Sequence, residues 1–219
     1  MPILLLIRHA ATDSMGKRLT GRAPGIDLSP QGRDQAERLA KALSPIPMAG
    51  LYASPLERCI QTAEHIAAGR GLAVTPVQEI LELDFGRWTG RPLAQLARTR
   101  LWREVQRSPG TVRFPGGESM TEAQRRAVDA INAIAARHRR GIVGIVSHGD
   151  VIRLALAHFA GVHIDLFQRL IVSPGSVSAI ALERSEPRIL AINHTTGLGE
   201  LLGPGPGDRR RPRGRKAGP

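Results

Sequence analysis

The sequence is poor in cysteine, in lysine and in aromatic residues, and the first of these shortages excludes whole classes of site. Its one cysteine, Cys59, excludes an internal disulfide and a zinc site built from cysteines. Only three of its 31 basic residues are lysine, so arginine supplies nearly all of the positive charge. No apolar run is long enough to cross a bilayer, and no signal peptide precedes Arg8. We therefore expect a cytoplasmic protein with no membrane partner.

The net charge of +12 is spread unevenly along the chain. Residues 203–219 hold six basic residues and one acidic residue among prolines and glycines. This composition predicts disorder, so we divide the chain into a domain at 1–202 and a disordered basic tail at 203–219. The charge that remains on the domain favours anionic substrates. Binding of nucleic acid is expected only weakly, through the tail.

Short apolar runs alternate with segments of helical periodicity, which is typical of an α/β sandwich with a mostly parallel sheet. Strands are predicted at residues 3–7, 50–53, 73–77 and 141–146, with a late hairpin of residues 177–182 and 189–192. Helices are predicted after the N-cap Ser29, after a capping box at Ser54–Glu57, over Pro92–Gln106, after a capping box at Ser119–Glu122, and after Asp150.

Polar side chains suited to anions follow three of the predicted strands. Arg8 and His9 end the first strand, and Arg58 follows the second. His148 ends a later strand. Because the carboxyl ends of neighbouring parallel strands meet at one edge of a sheet, we expect these residues to converge there. Two arginines and two histidines around one pocket favour phosphate, and the loop that carries Glu82 could supply a proton donor.

Five short motifs occur in a fixed order between residues 3 and 183. They are Leu6-Ile7-Arg8-His9 with residues 28–36 (LSPQGRDQA), residues 54–63 (SPLERCIQTA), residues 81–90 (LELDFGRWTG), Gly116-Gly117-Glu118-Ser119, and Val146-Ser147-His148-Gly149. Together they resemble the histidine phosphatase superfamily in its phosphoglycerate-mutase-like branch. The resemblance implies a three-layer α/β/α sandwich with a mostly parallel central sheet.

The resemblance also implies a role for each motif residue. His9 is similar to the histidine that accepts the phosphoryl group, and Glu82 to the acid that protonates the leaving oxygen. Arg8, Arg58 and His148 match the residues that hold the phosphate oxygens. Further contacts with the substrate are expected from Thr12, Arg18, Thr20 and Gly21. The implied partner is a small phosphorylated substrate, with no metal and no cofactor, and a homodimer is left open.

The loop after the first motif departs from the family pattern. Ala10 and Ala11 replace the usual glycine and glutamate, and Met15 lies near the place of a common asparagine. The resemblance implies that this loop faces the substrate, so these departures bear on which substrate is bound. Outside the motifs, Cys59 is interpreted as a buried packing residue. Trp88 and Trp102 are interpreted as core or as the wall of a pocket.

Three functions compete for this sequence. The leading one is a metal-independent phosphomonoesterase that works through a phosphohistidine. A phosphomutase of the same fold is the second, although only some 30 residues separate the Glu82 loop from Gly116, which favours hydrolysis. The third is a phospho-ligand or nucleic-acid binding protein, which would need no proton donor. Within the loop, Glu79 is the rival of Glu82 as the acid.

Overall fold

The apolar run near the start of the chain forms the middle of a six-stranded sheet in the computed structural model, which describes residues 2–182 and 186–195. The strands are β1 (Pro2–Arg8), β2 (Met48–Ala53), β3 (Val74–Pro76), β4 (Gly141–Ser147), β5 (Val177–Leu182) and β6 (Pro187–His194). Their order in the sheet is β3-β2-β4-β1-β5-β6. The predicted tail at 203–219 and the predicted boundary at residue 202 lie outside the described residues.

The four strands β3, β2, β4 and β1 are parallel, and the β5–β6 hairpin closes one side of the sheet in antiparallel pairing. In the register of the sheet, Arg8 pairs with Ser147 and Ala53 pairs with Val146. The carboxyl ends of β1, β2 and β4 therefore lie at one edge. This confirms the mostly parallel sheet that the sequence predicts.

Helices cover both faces of the sheet. They are α1 (Pro30–Leu43), α2 (Glu57–Ala67), α3 (Leu93–Leu96), α4 (Arg100–Arg107), α5 (Met120–Arg137) and α6 (Gly149–Phe159). Leu5 and Ile7 of β1 pack against α1 and α2, whereas Leu4 and Leu6 pack against α5 and α6. Because side chains alternate along a strand, β1 supplies core to both layers, and the three-layer sandwich is confirmed. No helix within the described ranges is long and apolar enough to cross a membrane.

Two of the predicted helix starts are confirmed in atomic detail. The Ser29 hydroxyl accepts a hydrogen bond from the Gly32 amide, which caps α1 just ahead of its first residue. At α5, the Ser119 hydroxyl and the Glu122 carboxylate each accept the other residue's backbone N–H. Both caps satisfy amides that have no partner inside the helix.

The predicted capping box at Ser54–Glu57 is wrong. Helix α2 begins at Glu57, and its N-cap residue Leu56 offers no side-chain hydrogen bond. The Ser54 hydroxyl lies instead 2.8 Å from Nε2 of His148, which is 94 residues away in the chain. The Ser54 side chain therefore makes a tertiary hydrogen bond instead of the helix cap that the local sequence pattern predicts.

The single helix predicted over Pro92–Gln106 is also wrong, because the segment is two helices, α3 and α4. The Thr99 amide donates to the Leu96 carbonyl and closes the first helix. The Thr99 hydroxyl then accepts from the Trp102 amide and caps the second. A threonine that can cap a helix thus interrupts a run whose apolar spacing is continuous.

Candidate active site

The five residues predicted to carry the chemistry come together at the carboxyl edge of the sheet. The rings of His9 and His148 have centroids 5.3 Å apart. Nη2 of Arg58 lies 3.2 Å from Nδ1 of His148, and Oε2 of Glu82 lies 3.9 Å from the same nitrogen. Arg8 completes the group, since its charge acts on both His9 and Glu82. Residues from β1, α2, β4 and one long loop thus share a single site.

His9 is held as a neutral ring with one nitrogen available. Its side chain is 5% exposed, and Nδ1 lies 2.7 Å from the Ala10 carbonyl oxygen. A carbonyl only accepts, so the proton sits on Nδ1 and the lone pair on Nε2. Burial, assisted by the charge of Arg58, lowers the pKa of His9 to about 3. At neutral pH the ring therefore offers an unprotonated nitrogen, as a nucleophile must.

The guanidinium groups of Arg8 and Arg58 are held by carbonyl oxygens yet keep buried N–H groups without partners. Nη1 of Arg8 donates to Val172 over 2.7 Å, and Nη2 of Arg58 donates to Gly21 over 2.8 Å. Nε of Arg8 and Nη1 of Arg58 are buried with no hydrogen-bond partner in the described parts of the chain. A buried charged donor left unpaired is costly, so this arrangement favours an anion that accepts from both arginines.

His148 is a neutral ring in the opposite tautomer. Arg58 can only donate, so Nδ1 of His148 accepts its hydrogen bond. Nε2 therefore carries the proton and donates to the Ser54 hydroxyl over 2.8 Å. Burial, followed by the charge of Arg58, holds the pKa of His148 well below its usual value. Cys59 packs against this ring, with Sγ 3.5 Å from Nε2, in a fully buried position.

Glu82 is a carboxyl group poised between its two protonation states. Its side chain is 14% exposed, and Oε1 accepts the Leu83 amide over 3.0 Å. Burial, reinforced by the negative charge of Asp150, raises its pKa to about 7, although Arg58 opposes the change. A carboxyl with a pKa near the working pH can give and take a proton, which suits a general acid and base. Its rival Glu79 is exposed.

The loop that carries Glu82 is fixed by a group of side chains that the sequence interpretation missed. Oε1 of Glu118 accepts from Arg22, from the Asp84 amide and from Arg126, at 2.8 to 3.0 Å. Nε of Arg22 in turn donates to the backbone carbonyl of Glu82 over 2.7 Å. Arg126 donates to two further carbonyls of the same loop. We call Arg22, Glu118 and Arg126 the loop anchor.

Of the four predicted substrate contacts, Gly21 bonds to a site residue, whereas the described hydroxyl contact of Thr12 is within its own loop. Thr12 is buried, and its hydroxyl lies 3.1 Å from that of Ser14. Gly21 contributes its carbonyl oxygen, which accepts from Arg58, rather than an amide. Its φ of +52° is in the left-handed region that favours glycine. Gly21 thus positions an arginine.

The other two predicted contacts are bonded to other parts of the chain. Arg18 is exposed, and its Nη1 donates to the Gly90 carbonyl over 2.9 Å. Thr20 accepts the Ala23 amide through its backbone carbonyl. Neither makes a described hydrogen bond or ion pair to the five converging residues. Their contact with a substrate stays a prediction.

The residues that depart from the family pattern after His9 are bonded within the protein. The amide of Ala10 donates to the Thr62 hydroxyl over 3.1 Å, and the amide of Ala11 donates to Oε1 of Gln35 over 3.0 Å. Both amides are therefore bound by the protein. Met15 approaches Arg8, with 4.0 Å between its sulfur and Nη2. Neither of these two amides is free to bind an anion.

The sequence did not predict the roles of three residues that contact or influence the site. Glu118 stood inside a motif but without a role, and Ser54 was assigned to a helix end. Asp150 was recognised only as part of a helix start. In the described part of the chain, no three His, Cys, Asp or Glu side chains are grouped to hold a metal ion.

Comparison with known proteins agrees with the motifs. The model of the histidine phosphatase superfamily (branch 1) matches residues 4–195. Phosphoserine phosphatase 1 of Hydrogenobacter thermophilus is 33% identical over 90% of this chain and 95% of its own. The phosphoglycerate mutase of Thermoplasma acidophilum that depends on 2,3-bisphosphoglycerate is 29% identical over 84% of this chain and 88% of its own. The structure of Bacillus stearothermophilus YhfR is similar, with a TM-score of 0.84, 25% identity, and 90% and 98% of the two chains covered. The chain therefore belongs to the histidine phosphatase superfamily.

Proposed function

We propose that the protein hydrolyses phosphomonoesters of small molecules, without a metal, through a phosphohistidine on Nε2 of His9. The observation that carries the proposal is the hydrogen bond from Nδ1 to the Ala10 carbonyl, which leaves Nε2 with its lone pair. Arg8 and Arg58, whose charges act on His9, keep buried N–H groups without a partner in the described structure and supply the positive charge that phosphate requires.

In the first half-reaction, the Nε2 lone pair of His9 attacks phosphorus while the bond to the leaving alcohol breaks. Phosphoryl transfer passes through a loose transition state with charge on the equatorial oxygens, so positioned cations provide most of the stabilisation. Arg8 and Arg58 fill this role. Glu82, which is partly protonated near pH 7, gives its proton to the departing oxygen so that a neutral alcohol leaves.

In the second half-reaction, the ionised Glu82 takes a proton from water as the water oxygen attacks the phosphohistidine. The phosphorus–nitrogen bond breaks, inorganic phosphate leaves, and His9 returns to its neutral state. Glu82 ends this step protonated and ready for the next turnover. A pKa near 7 allows the same carboxyl to act first as an acid and then as a base.

His148 changes its state when phosphate binds. Without a phosphate, the neutral ring donates to the Ser54 hydroxyl through Nε2. A dianionic phosphate beside it favours the charged imidazolium, because an opposite charge raises the pKa of a histidine. The added proton then sits on Nδ1, which gives up the hydrogen bond from Arg58 and can donate to a phosphate oxygen. On this proposal, binding is coupled to proton uptake.

A phosphomutase is the second candidate, because a mutase from Thermoplasma acidophilum is among the relatives. It would use the same phosphohistidine but pass the phosphoryl group to a second alcohol instead of water. The short connection between the Glu82 loop and Gly116 favours hydrolysis. A protein that only binds phosphate would have no use for a buried carboxyl with a pKa of about 7. The cytoplasmic location and the homodimer stay predictions.

The test is to trap the phosphoenzyme. The parent is mixed with p-nitrophenyl phosphate, quenched with base and examined by mass spectrometry for one added phosphoryl group, stable in base and labile in acid. His9→Ala should show no added group and almost no turnover. The control is His158→Ala, an exposed position on α6, which should behave as the parent does. An unlabelled parent together with an active His9→Ala would refute the mechanism.

A further inference from the structure

A cavity of about 360 Å³ lies next to Arg8 and the Glu82 loop. This volume falls within the range of about 300–1,000 Å³ that is usual for small-molecule pockets. Seven of its eleven lining residues are apolar or aromatic, among them Leu19, Phe85, Trp88, Trp102, Phe114 and Met120. Its polar wall includes Asp150, Arg153 and Gln106. We call this space the aromatic cavity.

Three observations place the aromatic cavity next to Arg8 and Glu82. The charge of Asp150 raises the pKa of both Arg8 and Glu82. Helix α6 starts against Arg8, since a Cβ built on Gly149 would lie 3.0 Å from Cζ of that arginine. On the other side, Phe85 belongs to the Glu82 loop. A group esterified to a phosphate held by Arg8 therefore has the aromatic cavity next to it.

The polar wall of the cavity carries no net charge. Oδ1 of Asp150 accepts from Nη1 of Arg153 over 3.0 Å, so the two charges compensate each other. Nε of Arg153 is buried and has no hydrogen-bond partner among the described residues. An uncharged oxygen or nitrogen acceptor would satisfy this N–H. A carboxylate would instead bring an uncompensated charge among aromatic rings, which is unfavourable.

The wall is built from aromatic rings, against which another aromatic ring can pack. The indole rings of Trp88 and Trp102 lie 6.2 Å apart at 31°, and the rings of Phe85 and Phe114 lie edge to face at 4.9 Å. Aromatic rings pack favourably in offset and edge-on arrangements such as these. We propose that the aromatic cavity binds the leaving group, and that the substrates are phosphomonoesters of uncharged alcohols bearing an aromatic ring. This inference rests on the proposed phosphatase function.

The first test compares 2-phenylethyl phosphate with ethyl phosphate. Both esters release a primary alcohol of similar basicity, so the ratio of their kcat/KM values reports the binding of the ring. Burial of a phenyl group should make this ratio about tenfold to a hundredfold. O-Phosphoserine, whose leaving group is small and charged, should be a poorer substrate than 2-phenylethyl phosphate by a similar factor.

Variants of the wall locate the effect. Gln106 lines the cavity from an exposed position, so Gln106→Trp can fill the space without disturbing the core. Trp102→Ala removes one ring. Each should reduce the preference for the phenyl ester at least fivefold, with folding checked by the melting temperature. Arg103→Trp is the matched control, because Arg103 is exposed on the same helix and does not line the cavity. It should leave both kcat/KM values unchanged.

A binding measurement separates this inference from the proposed function. The two tryptophans of the chain both line the cavity, so the tryptophan fluorescence reports its occupancy. The ligands are 2-phenylethylphosphonate and ethylphosphonate, which cannot be hydrolysed. We expect the first to bind at least tenfold more tightly and to change the fluorescence more.

The outcomes are distinct. Equal hydrolysis of the two esters and equal affinity for the two phosphonates would overturn the role of the cavity and leave hydrolysis standing. Tighter binding of the phenyl phosphonate with no hydrolysis of any ester would overturn the phosphatase proposal and retain a site for aromatic groups. Failure of both measurements would overturn both.

Discussion

Replacing Glu82 by glutamine tests the proton donor with a minimal change. Glutamine keeps the length of the side chain and an oxygen that can accept the Leu83 amide, as Oε1 of Glu82 does over 3.0 Å. It removes only the ability to exchange a proton. General acid–base catalysis contributes about a hundredfold to ten-thousandfold, so we expect a loss of that size on alkyl phosphates.

The choice of substrate sharpens the expectation. p-Nitrophenolate leaves without protonation, so Glu82→Gln should lose much less activity in the first half-reaction with the aryl ester. Because the same residue serves as base in the second half-reaction, the phosphoenzyme should accumulate after mixing. Rapid quenching and mass spectrometry would show both effects. Glu79→Gln is the control, since Glu79 is an exposed carboxylate in the same segment.

The same substitution has a second, independent readout in stability. The unfolded carboxyl has a pKa of 4.5, whereas burial raises that of the folded Glu82 to about 7. The unfolded state therefore loses its proton first as the pH rises, and the folded state is destabilised between pH 4.5 and 7. Above pH 7, this difference in pKa lowers the free energy of unfolding by about 3 kcal/mol. Glu82→Gln escapes this cost, so it should unfold at a higher temperature than the parent at pH 8 but not at pH 4.5.

The pH profile completes the test. Activity of the parent on alkyl phosphates should fall as the pH rises through about 7, because the donor form of Glu82 disappears. His9 has a pKa of about 3, so its titration should not change the activity between pH 5 and 8. A Glu82→Gln variant that matches the parent on alkyl phosphates, with the same pH profile, would show that another group is the acid.

Three further predictions use other parts of the molecule. Glu118→Gln should weaken the loop anchor and lower kcat on alkyl phosphates more than on aryl phosphates, because it misplaces Glu82 without touching the nucleophile. Excess EDTA should leave turnover unchanged, whereas vanadate should inhibit as an analogue of the transition state. Loss of activity with EDTA and its recovery with Mg²⁺ would contradict the role given to the arginines. A chain that ends at Leu202 should keep its melting temperature and its turnover, and a collapse of turnover would place residues 203–219 in the site.

The features that the sequence predicted best are set by short-range physics. The buried strand β1 follows from consecutive apolar residues, and the caps at Ser29 and Ser119 follow from hydroxyl groups next to helix starts. The convergence of Arg8 with His148 needed one further assumption, that their strands are parallel neighbours. The pairing of Arg8 with Ser147 shows that they are.

The features that the sequence did not predict depend on partners far away in the chain. Ser54 bonds to His148 across 94 positions, and Glu118 accepts from Arg22 across 96. A local pattern contains no information about such a partner, so Ser54 looked like a helix cap. The aromatic cavity is similar, because Leu19, Trp102 and Arg153 meet only after folding.

Because β1 lies in the middle of the sheet, we expect the segment that carries His9 and the loop that carries Glu82 to differ in local stability. This strand is hydrogen-bonded to β4 on one side and to β5 on the other, so the backbone leading to His9 can open only when the whole sheet comes apart. The Glu82 loop pairs with no strand of the described sheet. It is held by the loop anchor, by backbone hydrogen bonds of Asp84 and Arg87 to the 115–118 turn, and by the burial of Leu83. We expect it to detach in a local fluctuation of lower free energy. Under mild denaturant, amide exchange should therefore begin in the loop. A population would then exist that still accepts a phosphoryl group from an aryl ester but has lost the means to release an alcohol.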